Sequence, residues 1–336
     1  MFIILVLTGF MLWYLLKDHY FEIIDSLKNA NYLCILLAVL VYSFHILFDV
    51  LSFDSLTKMY SNKVSFLYQV YLGIIYRFFS GVTPLATGGQ PMLVYELKKK
   101  DISISNGTNI CVQAYMVFQV ALMILGFIAI ILNKTLHLFA YVPFLAQLTA
   151  VGFIINFFIL ILLLCVSFSK NFNKVVVGFL VKILSKLKII KNKEKVMDKC
   201  QKVCDEYYKN AKILLKNKLT LFKCIGFQCI SLTFLYLVPF VLSYALKING
   251  SFTWYESISA ASYVFMMGCY VPIPGATGGM EYGFSGFFGN FVSGYQLSAF
   301  LVSWRTITYY IPLLFGAIVF NIKKNREKIG DNKNGK

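Results

Sequence analysis

A six-residue stretch occurs twice in this chain, as Pro-Leu-Ala-Thr-Gly-Gly at residues 84–89 and as Pro-Gly-Ala-Thr-Gly-Gly at residues 274–279. The two copies share the pattern P-x-A-T-G-G and stand 190 residues apart, each within an apolar, helix-forming context. Proline cannot continue a helix and glycine tolerates a positive φ, so each copy predicts a tight break between two half-helices. The alternative interpretation is a pair of ordinary tight turns in a helical bundle.

The hexamers belong to a chain with the composition of a membrane protein. Of its 336 residues, 58% are hydrophobic and 14% are charged, against about 25% charged in a typical soluble domain. Helix is expected in each apolar run, because a bilayer offers no partner for unpaired backbone groups. The predicted spans are 1–16, 33–51, 66–82, 108–132, 145–168, 219–245, 253–271, 280–293 and 297–321. We therefore predict an all-α polytopic membrane protein, with 1–16 as a retained helix rather than a signal peptide.

The helices that frame the two hexamers are predicted to run in opposite directions. The first hexamer lies between spans 33–51 and 108–132, and the second lies between 219–245 and 297–321. Inverted repeats with discontinuous helices are typical of transporters that bind their substrate near the membrane midplane. We therefore predict a helix bundle with inverted repeats and two broken or re-entrant hairpins. Whether the hairpins cross the membrane fully is left open.

The net charge of +17 is concentrated in two segments. Residues 170–218 contain 14 lysines against four acidic residues, and the tail 322–336 contains six Lys or Arg against two. Lys and Arg are enriched in cytoplasmic loops, so both segments and both termini are predicted to be cytoplasmic. The chain thus divides into a transmembrane domain, 1–321, with a basic insertion at 170–218, and a basic tail. Apolar residues recur at helical spacing in the insertion, which favours amphipathic helices on the anionic inner leaflet over a packed linker and does not indicate nucleic acid.

Three ionisable residues fall inside apolar runs near the hexamers. Arg77 lies seven residues before the first copy, Glu281 closely follows the second, and Arg305 lies in the last span. Charges at such depth are costly and are usually functional or paired. Half-helix N-termini also attract anions such as a lipid phosphate. An alternative is a buried Arg–Glu pair that only fixes helix packing, and Asp49 and Glu96 are weaker candidates because both could reach the membrane interface.

The predicted lipid-binding and translocation residues combine these charges with the helix-breaking residues of the hexamers. They are Arg77, Pro84, Thr87, Gly88, Gly89, Glu96, Pro274, Thr277, Gly278, Gly279, Glu281 and Arg305. We predict no catalytic residue, no metal site and no cofactor. The three histidines are far apart in the sequence, and Cys200 and Cys204 have no second cysteine pair with metal-site spacing.

The hexamers and their flanks resemble the flippase domain of the lysylphosphatidylglycerol synthetase/flippase family, the multiple peptide resistance factors of bacteria. The matching stretches are Gly-Val-Thr-Pro-Leu-Ala-Thr-Gly-Gly-Gln-Pro at 81–91, Tyr-Glu-Leu-Lys-Lys at 95–99 and Pro-Ile-Pro-Gly-Ala-Thr-Gly-Gly-Met-Glu at 272–281. The resemblance covers nearly the whole chain. It implies an inner-membrane protein that moves an aminoacylated phospholipid to the outer leaflet, which makes the cell surface less anionic and repels cationic antimicrobial peptides.

Full-length members of that family also carry a soluble C-terminal aminoacyltransferase domain, whereas a 15-residue tail follows the last span of this chain. Phosphatidylglycerol lysyltransferase activity is therefore expected only as a family label or with a partner synthase. Stand-alone relatives also accompany glycolipid and glycosyltransfer pathways, so the cargo lipid, a separate synthase or glycosyltransferase partner and an oligomer are all left open. Two other functions remain as alternatives. One is a membrane enzyme acting on a polyprenyl phosphate, and the other is a non-transporting scaffold whose basic insertion recruits a synthase.

Overall fold

The computed structural model describes residues 20–136, 143–169, 217–248, 251–268 and 271–334, with scattered positions between 172 and 216. Its continuous segments form eleven α-helices and no strand, which confirms the all-α prediction. The helices are α1 (Tyr20–Lys28), α2 (Tyr32–Lys58), α3 (Phe66–Gly81), α4 (Gly89–Lys98), α5 (Ile104–Leu136), α6 (Pro143–Phe168), α7 (Lys218–Ala245), α8 (Trp254–Gly268), α9 (Gly279–Phe288), α10 (Gly294–Arg305) and α11 (Ile311–Asn334). The predicted span 1–16 lies outside the described residues, as does most of the basic insertion 170–218.

Five helical segments within the described residues are long and apolar enough to cross a membrane. They are Tyr32–Lys58, Ile104–Asn133, Phe144–Cys165, Lys218–Ala245 and Gly294–Arg326. Large apolar side chains on them point away from the bundle, as expected of surfaces that face lipid: Leu33 is 76% exposed and Ile154 is 65% exposed. The chain is therefore a multi-pass helical membrane protein.

Helix α2 packs along α7, and the two helices are antiparallel. The Asn31 N–H donates to the Ala245 carbonyl at 2.8 Å at one end of the pair. Further along, the Ser52 hydroxyl donates to the Cys224 carbonyl at 3.2 Å. Because α2 precedes the first hexamer and α7 precedes the second, corresponding helices of the two halves have opposite directions.

In each half, the first arm of the hairpin packs on a helix of the other half. Helix α3, the first arm of the hairpin around the first hexamer, packs on α11, which closes the second half. Helix α8, the corresponding arm of the second hairpin, packs on α5, which closes the first half. This reciprocal pattern is the arrangement expected of an inverted repeat.

The last predicted span, 297–321, is one apolar run in the sequence but an interrupted helix in the structure. A π-helical turn at Thr306–Tyr310 separates α10 from α11. Pro312 follows that turn and has no N–H, so the carbonyl of Thr308, four residues earlier, lacks its usual helical donor. The Tyr42 hydroxyl of α2 donates to this carbonyl at 3.2 Å. The interruption therefore ties the last span to the first half.

An aromatic cluster holds α9 against α10. The rings of Phe284 and Trp304 stack with centroids 4.6 Å apart, and the Phe284 and Phe300 rings meet edge to face at 5.0 Å. All three side chains are at most 1% exposed. Aromatic packing of this kind stabilises the fold by about 0.5–1.5 kcal/mol per pair, in addition to the free energy gained from burying apolar area. It fixes the positions of Glu281 and Arg305, which lie on the same two helices.

Candidate functional site

The two hexamers form the tips of two helical hairpins, and the tips contact each other. In each tip a short 3-10 turn, Pro84–Ala86 or Pro274–Ala276, joins the two arms. Positive φ angles occur at Leu85 (52°) and Ala86 (56°) in the first tip and at Gly275 (66°) in the second. Both predicted helix breaks are therefore present.

The Gly-Gly pairs of the two tips differ in backbone conformation. Gly88 has a φ of −79°, whereas Gly278 in the second tip has a φ of +92°. A Cβ atom at Gly88 would lie 2.6 Å from the Thr83 Cγ2 atom. The Thr83 Oγ1 atom also accepts a hydrogen bond from the Gly88 N–H at 2.8 Å. Glycine is needed at this position because the backbone approaches Thr83 closely, not because of its conformation.

A cavity of about 630 Å³ lies between the tips and the surrounding helices. The first tip lines it through Leu85 and Ala86, and the second through Gly275 and Ala276. The remaining wall comes from helices α2 to α10 and the π turn. The volume falls within the range of about 300–1,000 Å³ that is usual for small-ligand pockets.

Arg77 lines the cavity from α3 and is held by α2. Its Nη2 atom donates to the Asp49 carboxylate at 2.8 Å and lies 3.3 Å from the His45 Nε2 atom, while Nη1 donates to the Gly73 carbonyl at 3.0 Å. The His45 ring also lies 2.8 Å from the Ser231 hydroxyl of α7. The side chains of Arg77 and Asp49 remain 12% and 29% exposed, so this ion pair is not sealed in a dry core.

Arg305 also lines the cavity, but its ion pair is sealed. Its Nε atom donates to the Glu281 carboxylate at 2.5 Å, and its Nη2 atom donates to the Gly275 carbonyl at 2.9 Å. The other Glu281 oxygen accepts from the Gly278 N–H at 2.6 Å. The two charged side chains are only 6% and 4% exposed. Glu281 stands behind Arg305, outside the described lining, and the pair anchors the second tip to α9 and α10.

Glu96 lies in a separate cluster at the base of the first hairpin. Its carboxylate, which is 1% exposed, accepts hydrogen bonds from the Tyr68 hydroxyl at 2.6 Å, Lys323 Nζ at 2.5 Å and Lys99 Nζ at 3.0 Å. These contacts join α4 to α3 and α11. The structure therefore separates Glu96 from the two arginines of the cavity.

The predicted hexamer residues shape the tips without lining the cavity. The Thr87 hydroxyl donates to the Pro84 carbonyl at 2.9 Å, and the Thr277 hydroxyl donates to the Pro274 carbonyl at 2.8 Å. The threonines therefore close their own turns. The residues in this group are Pro84, Thr87, Gly88, Gly89, Pro274, Thr277, Gly278 and Gly279.

Two lining residues of the cavity, His45 and Gln69, were not among the predicted site residues, and Asp49 was predicted only as a weaker candidate. Both His45 and Asp49 contact the Arg77 guanidinium directly. Gln69 lines the cavity and is 1% exposed. Helical spacing is the signal that could have found them, since His45 and Asp49 are four residues apart and Gln69 precedes Arg77 by eight on the same helix face.

The fold and the cavity define a class: a polytopic helical membrane protein in which two interrupted hairpins of opposite halves meet at a cavity that contains two arginines. The chain belongs to the family described as the lysylphosphatidylglycerol synthase transmembrane region, whose family model matches residues 1–316. This confirms the family resemblance carried by the two hexamers. A comparison with curated proteins found no match.

Proposed function

We propose that the chain is a flippase-like protein that moves a polar lipid between the leaflets of the bacterial inner membrane. The family resemblance implies an aminoacylated phosphatidylglycerol, such as the lysyl form, or a related lipid as the cargo. The supporting observation is that two hairpin tips from opposite halves meet at a cavity of about 630 Å³ that holds two arginines. Interrupted helices at membrane depth are tolerated where protein or a water-filled cavity receives the freed backbone groups.

In this mechanism the headgroup enters the cavity while the acyl chains stay in the lipid. Arg77 is the phosphate-binding group, because its pair with Asp49 is partly exposed and a phosphate can compete for the guanidinium. Arg305 positions the second tip, since it donates to the buried Glu281 carboxylate and to the Gly275 carbonyl of that tip. Rocking of one half against the other then alternates access to the cavity. The contacts that must adjust are those of α2 with α7, α3 with α11 and α5 with α8.

The orientation that we propose places both termini in the cytoplasm. Several basic residues lie at one end of the bundle: Lys63 pairs with Asp101 at 3.3 Å, and Lys323 pairs with Glu96 at the base of the first hairpin. The positive-inside rule assigns this end to the cytoplasm, facing the anionic inner leaflet. The first hairpin then opens from the cytoplasmic side, and the second opens from the outer side.

For an aminoacylated cargo, transfer to the outer leaflet makes that leaflet less anionic and weakens the binding of cationic antimicrobial peptides, which gives the chain a role in peptide resistance. We assign lipid transport to this chain, and synthesis of the lipid to a separate synthase or glycosyltransferase. The phospholipid itself is the substrate.

Purified full-length protein in phosphatidylcholine vesicles tests the proposal, with trace acyl-labelled fluorescent lipids and an impermeant quencher to report the outer leaflet. We expect Arg77→Ala to slow transfer about a hundredfold, because loss of one partner of a charged hydrogen-bonded pair costs roughly 2–5 kcal/mol. Arg326→Ala is the matched control, since Arg326 is an exposed arginine of α11 outside the cavity lining.

Melting temperatures in detergent must show that both variants are folded. Equal transfer by folded Arg77→Ala and by the wild type would remove Arg77 from the mechanism. Absence of transfer by the wild type for every lipid class would overturn the flippase proposal.

A further inference from the structure

A buried amide in the cavity wall takes no part in the mechanism described so far. Gln69 lies on α3 and lines the cavity. It is 1% exposed, and within the described residues neither its amide oxygen nor its amide nitrogen has a hydrogen-bond partner. A buried amide without partners is costly, and nearly all such groups in proteins are satisfied. An unsatisfied amide in a cavity wall therefore points to a ligand that completes its hydrogen bonds.

Gln69 is one of several side-chain amides in the wall of this cavity. The others come from α4, α5, α6 and α7, and are Gln90, Gln119, Asn156 and Gln228. An amide offers an acceptor and donors together, which matches a hydroxyl group, itself both donor and acceptor. The Trp304 indole N–H, also in the wall, is buried without a partner in the part of the chain that the structure describes, and it can donate to a hydroxyl oxygen.

The carboxylates at the cavity are already paired with arginines. Among the described lining residues Asp49 is the one acidic side chain, and it bonds to Arg77. Glu281 stands behind the wall and bonds to Arg305. A lysyl headgroup brings two ammonium groups, and burying an ammonium without a carboxylate is far more costly than burying a hydroxyl that meets an amide. The charge balance therefore opposes a cationic headgroup.

This inference rests on the proposed lipid translocation. We propose that the Gln69 side of the cavity binds the uncharged polyhydroxylated part of a lipid headgroup, glycerol or a sugar, in preference to an aminoacyl group. Hydroxyls of the headgroup donate to the Gln69 amide oxygen and accept from its amide nitrogen. Aromatic residues of the wall, among them Tyr76 and Trp304, cover the carbon faces of the polyol. Gln69 thus determines which headgroup is carried, while Arg77 serves any headgroup that has a phosphate.

The test compares three fluorescent lipids with identical acyl chains in vesicles that contain the full-length protein. They are a glucosyl diacylglycerol, phosphatidylglycerol and lysylphosphatidylglycerol. We expect the wild type to transfer one or both polyol lipids faster than the lysyl lipid. Faster transfer of the glucosyl lipid assigns a sugar, and faster transfer of phosphatidylglycerol assigns glycerol.

Replacement of the amide by a side chain of similar size separates recognition from folding. Gln69→Leu should slow transfer of the preferred polyol lipid about tenfold, as expected for the loss of neutral hydrogen bonds. Its melting temperature should stay the same or rise, because the amide has no partner to lose. Gln113→Leu is the matched control: Gln113 is fully buried on α5 outside the lining, and its amide donates to the Tyr60 hydroxyl at 2.8 Å. The melting temperature of Gln113→Leu should be lower than that of the wild type, whereas its headgroup preference should be unchanged.

Faster wild-type transfer of the lysyl lipid, or an unchanged preference in Gln69→Leu, would overturn this inference while leaving the flippase proposal intact. Failure of the wild type to transfer any of the three lipids would instead overturn the flippase proposal, and this inference with it.

Discussion

Arg77 and Arg305 each lie close to one hexamer, yet their surroundings differ. The pair of Arg305 with Glu281 is 6% and 4% exposed, whereas the pair of Arg77 with Asp49 is 12% and 29% exposed. Desolvation of a charge is costly, so a sealed pair resists exchange with a ligand more than a partly hydrated pair does. At the residue scale, Arg305 is therefore the structural arginine and Arg77 the one available to a lipid phosphate.

This difference predicts a large stability cost for single changes in the sealed pair. Glu281→Leu should lower the free energy of unfolding by about 3–5 kcal/mol, because it leaves the Arg305 guanidinium buried without its partner. The double variant Glu281→Leu/Arg305→Leu should recover much of this loss, though not all, since the Gly278 N–H also loses its acceptor. Denaturation in detergent measures both values, with Arg326→Leu as the exposed control. A double variant less stable than the single one would contradict the assignment.

At the scale of the helix, the π turn between α10 and α11 links the second half to the first. Its Thr308 carbonyl accepts from the Tyr42 hydroxyl because Pro312 cannot donate to it. The same turn places Tyr309, whose hydroxyl donates to the Gly81 carbonyl at 3.0 Å at the end of α3. Both contacts bring the last span onto helices of the first half.

This account of the turn predicts coupling between Tyr42 and Pro312. Tyr42→Phe should destabilise the protein by about 1 kcal/mol, since it removes a donor from a partly buried carbonyl. In a Pro312→Ala background the same change should cost less, because the restored backbone N–H at position 312 can donate to Thr308. A double-mutant cycle of melting free energies measures the coupling, and equal costs in both backgrounds would argue against it.

At the scale of the whole molecule, the packing of α3 on α11 and of α8 on α5 makes each half depend on the other. Neither hairpin packs only within its own half, so a movement of one half must change contacts in both. The ends of the bundle also differ, since the Lys63–Asp101 and Lys323–Glu96 pairs lie at the base of the first hairpin. That base is the end that we assign to the cytoplasm.

Cysteine labelling tests this orientation. Lys63→Cys, at a position whose side chain is 69% exposed, should react with a membrane-impermeant maleimide in inside-out vesicles and not in intact cells. Ser251→Cys, in the exposed turn before α8, should show the opposite pattern. The parent chain with its eight native cysteines supplies the background to subtract. The reverse labelling pattern at both positions would invert the proposed topology.

The amino-acid sequence by itself determined the helical membrane class, the family, the two helix breaks and their symmetric framing. These features depend on local properties: long apolar runs need helix in a bilayer, and proline and glycine interrupt it wherever they stand. The unusual depth of Arg77, Glu281 and Arg305 was visible in the same way.

Only the tertiary structure decided which of these charges meet. Asp49 and Arg77 are 28 residues apart in the chain, and Glu96 and Lys323 are 227 apart. Glu96 is separated from the predicted site because it faces α11, and Gln69 belongs to the cavity wall because that face of α3 borders the cavity. Pairing of this kind depends on the relative rotation of packed helices, which the pattern of a single helix does not contain.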